Sequence, residues 1–506
     1  MSDNLFDLIR ARICEPQKTV IETEDGRRIS YSDLVAQSGR AANALVACGV
    51  RVGDRVAVQL DKSPEVLVVY LACLRAGAVF LPLNTGYTLA EVEYFVSDAE
   101  PALVLCRPAA LDAMRALGAR LGVKAVESLG AAREGTFWPR VEASSPDFAD
   151  VARAADDLAA ILYTSGTTGR SKGAMLSHRN LASNSLTLAE CWRFGADDVL
   201  IHALPIYHTH GLFVATNVTL FSGASMIFLS KFDADAVLRV MPRATAMMGV
   251  PTFYTRLLEH PGLTAEATKR MRLFVSGSAP LLAETHQQFR ERTGHAILER
   301  YGMTETNMNT SNPYDGERIA GTVGFPLPDV ALRIADPESG RVLAQGEIGV
   351  IEVKGPNVFS GYWRMPEKTA SEFRADGFFI TGDLGKLDER GYVHIVGRAK
   401  DLIISGGFNV YPKEVESEID ALPGVVESAV FGLAHPDFGE GVTAVVVKEK
   451  GAAVSEPEIL AALENRLAKF KLPKRVFIVD DLPRNAMGKV QKNLLREAHA
   501  GLYARA

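Results

Sequence analysis

Residues 163–173 read Tyr163-Thr164-Ser165-Gly166-Thr167-Thr168-Gly169-Arg170-Ser171-Lys172-Gly173. The run follows an apolar stretch, 158–161, with the texture of a buried strand. It precedes residues 175–192, whose apolar positions recur at helical spacing. Glycine lets the backbone approach an anion and aim N–H groups at it. Hydroxyls add donors, and a lysine adds a point charge. The loop therefore fits a phosphate cradle, although its spacing is not the GxxxxGK[ST] of a Walker loop. A flexible polar hairpin fits the same residues, and the rest of the chain has to decide.

A chain of 506 residues is too long for one hydrophobic core, so at least two domains are expected. With 47% hydrophobic and 23% charged residues, the composition is that of a globular protein. A net charge of −6 without a basic tract excludes nucleic acid as the main partner. Cys14, Cys48, Cys73, Cys106 and Cys191 are scattered and form no CxxC pair, which predicts reduced thiols and a cytoplasmic location. Neither a signal-peptide core nor an apolar run of membrane-spanning length is expected, so no membrane partner is implied.

Apolar runs at 56–60, 78–81, 102–106, 199–203, 225–229, 246–249 and 272–276 read as strands. Helical stretches lie among them, one capped by Ser32, one opened by Pro64, and others at 234–241, 252–258 and 281–292. Such alternation predicts helix-flanked parallel sheets. After about Gly321 the texture turns β-rich, with strands within 323–334 and 346–353. Beyond Gly397-Arg398 it becomes a compact α+β pattern: helices at 413–419 and 456–469, strands at 425–432, 442–448 and 475–479. The fold class is therefore α/β. A large N-terminal domain of helix-flanked β-sheets plus a small β unit, residues 1–397, is followed by a small α+β C-terminal domain, residues 398–506.

Four further motifs carry candidate chemistry. Arg300-Tyr301-Gly302-Met303-Thr304-Glu305-Thr306 is expected just after a short strand at 296–298, where Glu305 is either a magnesium ligand beside phosphates or a solvated surface carboxylate. Thr381-Gly382-Asp383 offers an acceptor for two ribose hydroxyls, or an Asx turn. Gly397-Arg398-Ala399-Lys400-Asp401 is a hinge or an ordinary charged linker, with Lys400 the residue to absorb a backbone change. Pro483-Arg484-Asn485-Ala486-Met487-Gly488-Lys489 presents an isolated cation on a turn, or is a basic tail.

Taken in order, with Pro205-Ile206-Tyr207-His208, these motifs resemble the acyl-adenylate-forming superfamily of acyl-CoA synthetases, peptide-synthetase adenylation domains and luciferases. Residues 206–217, 299–318 and 406–416 are most similar to malonyl-CoA synthetases. One departure is Arg170-Ser171, where many members have a proline; Lys172 and the hydroxyls are kept. The resemblance implies ATP-dependent ligation of malonate to coenzyme A through malonyl-AMP, with release of pyrophosphate and AMP. It implies a ligase using ATP and Mg2+, with coenzyme A as co-substrate and a mobile C-terminal lid.

The site residues it implies are these. Lys489, His208 and Glu305 are catalytic. Thr164, Ser165, Gly166, Thr167, Thr168, Gly169 and Lys172 hold the phosphates, Thr304 touches the α-phosphate, and Glu305 and Thr168 hold Mg2+. Asp383 and Arg398 hold the ribose. Ser278, Ala279, Pro280, Glu299, Arg300, Tyr301, Gly302 and Met303 line the nucleotide site. Gly406, Gly407 and Phe408 line the coenzyme A tunnel, gated by His208, and Lys400 is the hinge. A second substrate carboxylate calls for guanidinium and hydroxyl groups, and Arg256, Arg300, Ser276 and Ser278 supply them. Lys489 is also a candidate target for a lysine acetyltransferase and deacetylase. Another short acid such as methylmalonate or acetate, an aryl acid, or loading of a carrier protein is the alternative function.

Overall fold

The computed structural model describes residues 2–164, 171–406, 408–464, 466–485 and 488–503. The chain divides into two compact units: Met1–Ala320 with Gly324–Ala331 and Lys354–Phe379, and Gly321–Val323 with Leu332–Val353 and Ile380–Ala506. The 397/398 boundary expected from sequence thus falls inside the second unit, where the strand Val393–Arg398 ends.

The first unit holds two sheets. In one, Thr19–Thr23, Ser225–Phe228, Val199–His202, Ala246–Gly249, Leu273–Ser276 and Leu298–Met303 run parallel, with antiparallel strands at both edges. In the other, Ala125–Ser128, Leu103–Cys106, Arg55–Gln59, Val79–Pro82 and Leu158–Thr164 are parallel, and Lys172–Ser177 closes the edge antiparallel. Strands buried on both faces read as unbroken apolar runs, as Leu103–Cys106 does. The helix Pro64–Arg75 is buried along its whole length, so it lacks a polar face.

The second unit holds a four-stranded sheet, Ala331–Ala335, Gly349–Lys354, Phe379–Leu387 and Val393–Arg398. It also holds a five-stranded sheet in which Gly439–Lys448 pairs with Val425–His435, Ile403–Ser405 and Arg475–Val479. Ile403, Val415, Ile419, Val430, Val446 and Leu463 belong to the apolar core of this second sheet. Among the described residues no helix is long and apolar enough to cross a membrane.

Four local expectations are corrected. Ser30, not Ser32, caps the helix Tyr31–Ala47, because its Oγ accepts from the Asp33 N–H while Asp33 accepts from the Ser30 N–H. The helix expected from 175 begins at His178: Lys172–Ser177 is a strand, and Ser177 forms a capping box with Asn180. The helix Glu456–Leu463 is shorter than expected: past it the Arg466 amide turns back only three residues, to the Leu463 carbonyl. Arg300–Met303 lies within a strand rather than after one, pairing with Asn307–Ser311 through a bulge between Tyr301 and Gly302.

Candidate active site

The hairpin Leu158–Thr164/Lys172–Ser177 sets Thr164 opposite Lys172, so the two ends of the glycine-rich loop are fixed by strand pairing. The strands that flank the loop thus form a hairpin, and the cradle reading falls largely on residues outside those described. Ser165, Gly166, Thr167, Thr168, Gly169 and Arg170 lie outside the described residues.

Lys172 is buried, and its ammonium lies 3.1 Å from Glu372 Oε1 and 4.1 Å from the centre of the Tyr362 ring. The Tyr362 hydroxyl donates across 2.6 Å to Glu372 Oε2 and also lies 3.1 Å from Glu305 Oε1. Thr164 Oγ1 donates to Glu305 Oε1 at 3.4 Å. Lys368 adds a second cation to Glu372 at 2.7 Å. Burial, then the charges of Glu305 and Glu372, raise the Tyr362 pKa, so the phenol keeps its proton. Burial also works to raise Glu372, but hydrogen bonds from Lys368 and Tyr362 and the charge of Lys172 outweigh it and hold the carboxyl below its usual range.

Magnesium takes oxygen ligands and is commonly held by one or two carboxylates plus substrate phosphates. Among the described residues no cluster of three or more His, Cys, Asp or Glu could cage a metal. Glu305, with the Thr164 hydroxyl beside it, therefore fits a metal that arrives on a nucleotide.

A second cluster in the same unit surrounds Arg300. The residue is only 4% exposed, and its Nε and Nη2 have no hydrogen-bond partner. Burial pulls its pKa down to about 9, still above neutrality. The guanidinium lies against the backbone at Gly277, where a Cβ would stand 2.3 Å from Arg300 Cζ; only glycine admits this approach. Ser276 Oγ is buried and unpartnered. Ser278 takes the left-handed conformation, φ 71°, which a side-chain-bearing residue holds at a cost of about 1–3 kcal/mol and which recurs at ligand sites. Its hydroxyl lies 3.2 Å from His210 Nδ1, while His210 Nε2 is buried without a partner. Burial, then the charge of Arg300, pushes His210 far below the usual imidazole range, so the ring is neutral.

His210 opens a wide π-type turn, His210–Thr216, a form that often marks functional positions. His208 is half-buried and its Nδ1 accepts from the His210 N–H at 3.2 Å. Arg256 does not join this cluster: it is exposed on the helix Pro251–Glu259 and forms no hydrogen bond or ion pair among the described residues. Glu299 is buried, Tyr301, Gly302, Met303 and Thr304 are half-buried along and just past their strand, and Ala279 and Pro280 rise toward the surface.

In the second unit Asp383 and Arg398 are cross-strand partners, and Arg398 Nε meets Asp383 Oδ1 at 2.6 Å. Lys489 stands on a tight turn. Its N–H donates to Asn485 Oδ1, Arg484 Nη1 donates to the Gly488 carbonyl, and Gly488 takes φ 73°. Lys489 is an exposed residue; crowding by neighbouring atoms that strips water from the ammonium, then the charges of Arg398 and Lys400, bring it down to about 8 against the opposing pull of Asp383 and Asp401. Lys400 lies in the short turn Ala399–Asp401, whose Asp401 is held by Arg496 at 2.8 Å. Gly406 has φ 60°, and Phe408 is exposed, stacked on Phe470 at 4.7 Å; Gly407 is outside the described residues.

Sequence reading missed His210, Tyr362, Glu372 and Lys368. The tandem histidines of Tyr207-His208-Thr209-His210 are a usable signal for the first. The others sit in no phosphate-like motif and are identified only by their contacts.

The sequence profile of AMP-binding enzymes matches residues 11–363, and that of the AMP-binding enzyme C-terminal domain matches residues 414–489. A feruloyl-CoA synthase of Amycolatopsis sp is 37% identical, over 96% of this chain and 97% of the relative. A malonate–CoA ligase of Arabidopsis thaliana is 33% identical, over 98% of this chain and 89% of the relative. The crystal structure of ATP-bound MatB from Rhodopseudomonas palustris superimposes with a TM-score of 0.98 at 66% identity, covering 99% of this chain and all of that one.

Proposed function

The chain belongs to the AMP-binding enzymes, and we propose that the acid it activates is malonate. The protein is an AMP-forming acid–CoA ligase that uses ATP, Mg2+ and coenzyme A. The observation that carries the choice of acid is the buried Arg300 guanidinium with two unpartnered nitrogens, next to the unpartnered Ser276 hydroxyl. Leaving a charged donor buried and unsatisfied is costly unless a ligand completes it. A carboxylate accepts two parallel N–H bonds from a guanidinium, and the distal carboxylate of malonate suits this arrangement. An aryl or fatty acid would bring only carbon to the same atoms.

In the first step a carboxylate oxygen of the acid attacks the α-phosphorus of ATP, and the bond to the bridging oxygen breaks to release pyrophosphate. Two anions must approach each other, so catalysis rests on charge neutralisation and alignment. Lys489 stabilises the charge shifting between the carboxylate and the α-phosphate. Lys172 and Thr164 grip the outer phosphates, Thr304 the α-phosphate, and Asp383 with Arg398 the ribose. Bound Mg2+, for which Glu305 offers the carboxylate, neutralises phosphate charge. In the second step the thiol of coenzyme A loses its proton and attacks the acyl carbon, and the C–O bond to AMP breaks. His208 and the segment from Gly406 to Phe408 serve that entry.

The test is AMP release dependent on coenzyme A, measured with malonate, methylmalonate, acetate, succinate and coumarate. Malonate is expected to give the highest kcat/KM; a monocarboxylic or aryl acid ahead of it overturns the reading.

The depressed Lys489 pKa predicts a pH signature. Below about 8 the ammonium is present, and above it the free amine takes over. Adenylation therefore falls as pH rises through about 8. Thioester formation from supplied malonyl-AMP instead gains from thiolate formation over the same range. Separate pH profiles of the two half-reactions check this, and parallel profiles contradict it. The free amine is also the form that takes up an acyl group, which makes Lys489 a fitting target for a lysine acetyltransferase and deacetylase.

A further inference from the structure

We propose that Tyr362 and Glu372 are the positioning pair of the phosphate end, holding Lys172 and Glu305 in one hydrogen-bonded chain that runs from cation to metal-side carboxylate. The proposal rests on the assignment of Lys172 and Glu305 to the nucleotide phosphates.

A lysine ammonium on a flexible stem has no fixed direction of its own. Here two features aim it: Glu372 Oε1 at 3.1 Å and the face of the Tyr362 ring at 4.1 Å. The other oxygen of Glu372 accepts from the Tyr362 hydroxyl at 2.6 Å, and the same hydroxyl lies 3.1 Å from Glu305. One phenolic proton faces two carboxylates and bonds fully to only one at a time. When Glu305 gives its charge to a metal, it gives up its weaker share of the tyrosine hydrogen bond, and the hydroxyl bonds to Glu372 alone. That weakens the hold of Glu372 on Lys172 and frees the ammonium for phosphate. Lys368, 2.7 Å from Glu372, keeps that carboxylate paired after Lys172 turns away. Metal capture by Glu305 and phosphate capture by Lys172 are coupled in this way through a single tyrosine proton.

The test uses the full-length protein with two probes, the non-hydrolysable ATP analogue AMPPNP at a series of Mg2+ concentrations, and AMP, which lacks the outer phosphates. Titration calorimetry gives dissociation constants for Glu372→Gln and Tyr362→Phe. Loss of an outer-shell partner typically costs about ten- to a hundredfold in affinity. Glu372→Gln is expected to weaken Mg·AMPPNP by that factor and leave AMP binding unchanged. Tyr362→Phe is expected to raise the Mg2+ concentration needed for AMPPNP binding, again with AMP binding intact. Unchanged Mg·AMPPNP affinity, or an equal loss for AMP, overturns the proposal. Lys172→Met and Glu305→Gln separate the two levels. If both weaken Mg·AMPPNP while Glu372→Gln does not, the positioning role fails and the phosphate assignment stands. If neither does, the assignment fails and the positioning role with it.

Discussion

Replacing Lys489 by Ala is expected to lower the rate of malonyl-AMP formation by about a thousandfold or more, the scale seen when a single transition-state cation is removed from phosphoryl chemistry. Thioester formation from supplied malonyl-AMP is expected to continue at close to its normal rate. The difference follows from where charge changes. In adenylation, negative charge shifts onto the bridging oxygen of the departing pyrophosphate, and a nearby ammonium is worth most at that moment. In thioester formation the phosphate charge is already set, and AMP leaves as a stable anion. Lys489 sits on a turn fixed by the Asn485 and Gly488 contacts, so truncation beyond Cβ leaves the turn in place. Pyrophosphate exchange reports the first half and CoA-thioester formation the second. Equal losses in both would show that Lys489 serves the fold or both steps.

Arg300→Leu is expected to reduce kcat/KM for malonate by about a hundred- to a thousandfold, matching the roughly 3–5 kcal/mol lost when one partner of a buried charge pair is removed. The leucine fits a buried site and leaves no orphaned cation, so the fold should tolerate it. KM for ATP should change little, because the phosphate-end contacts lie elsewhere. Arg256→Leu is expected to cost much less, since an exposed cation is screened by water. Steady-state kinetics of both variants with malonate and acetate decide the matter. Normal malonate kinetics in Arg300→Leu would remove the dicarboxylate pocket from consideration.

Much of the fold was legible because parallel strands covered on both faces are unbroken apolar runs. Ala246–Gly249, buried throughout, was placed to the residue, and so was Arg475–Val479, although it is only partly covered. Boundaries failed where a polar side chain overrode the apolar pattern. Ser177 and Asn180 end a strand and start a helix that periodicity alone extended backwards. Arg300 was expected just past a short strand at 296–298, but the strand runs on through Leu298–Met303 and pairs with Asn307–Ser311. In the candidate site, residues carried by a motif were named from sequence, whereas those defined by distant contact were not. His210, Ser278 and Arg300 form one cluster across ninety residues of chain, and Lys172 meets Glu372 across two hundred. Local pattern contains no term for such pairings.

The bare backbone at Gly277 also bears on how this pocket could change its diet over evolutionary time. The Arg300 guanidinium, proposed above to meet a second carboxylate, occupies the volume a methyl group at 277 would need. One added carbon at 277 displaces Arg300 without altering it, turning a charged recess into a blocked one. On the proposed reading, a side chain at 277 weakens malonate use as a change at Arg300 itself does. A chain that keeps its arginine but gains a side chain at this position would carry the signature residue of an acid it no longer prefers.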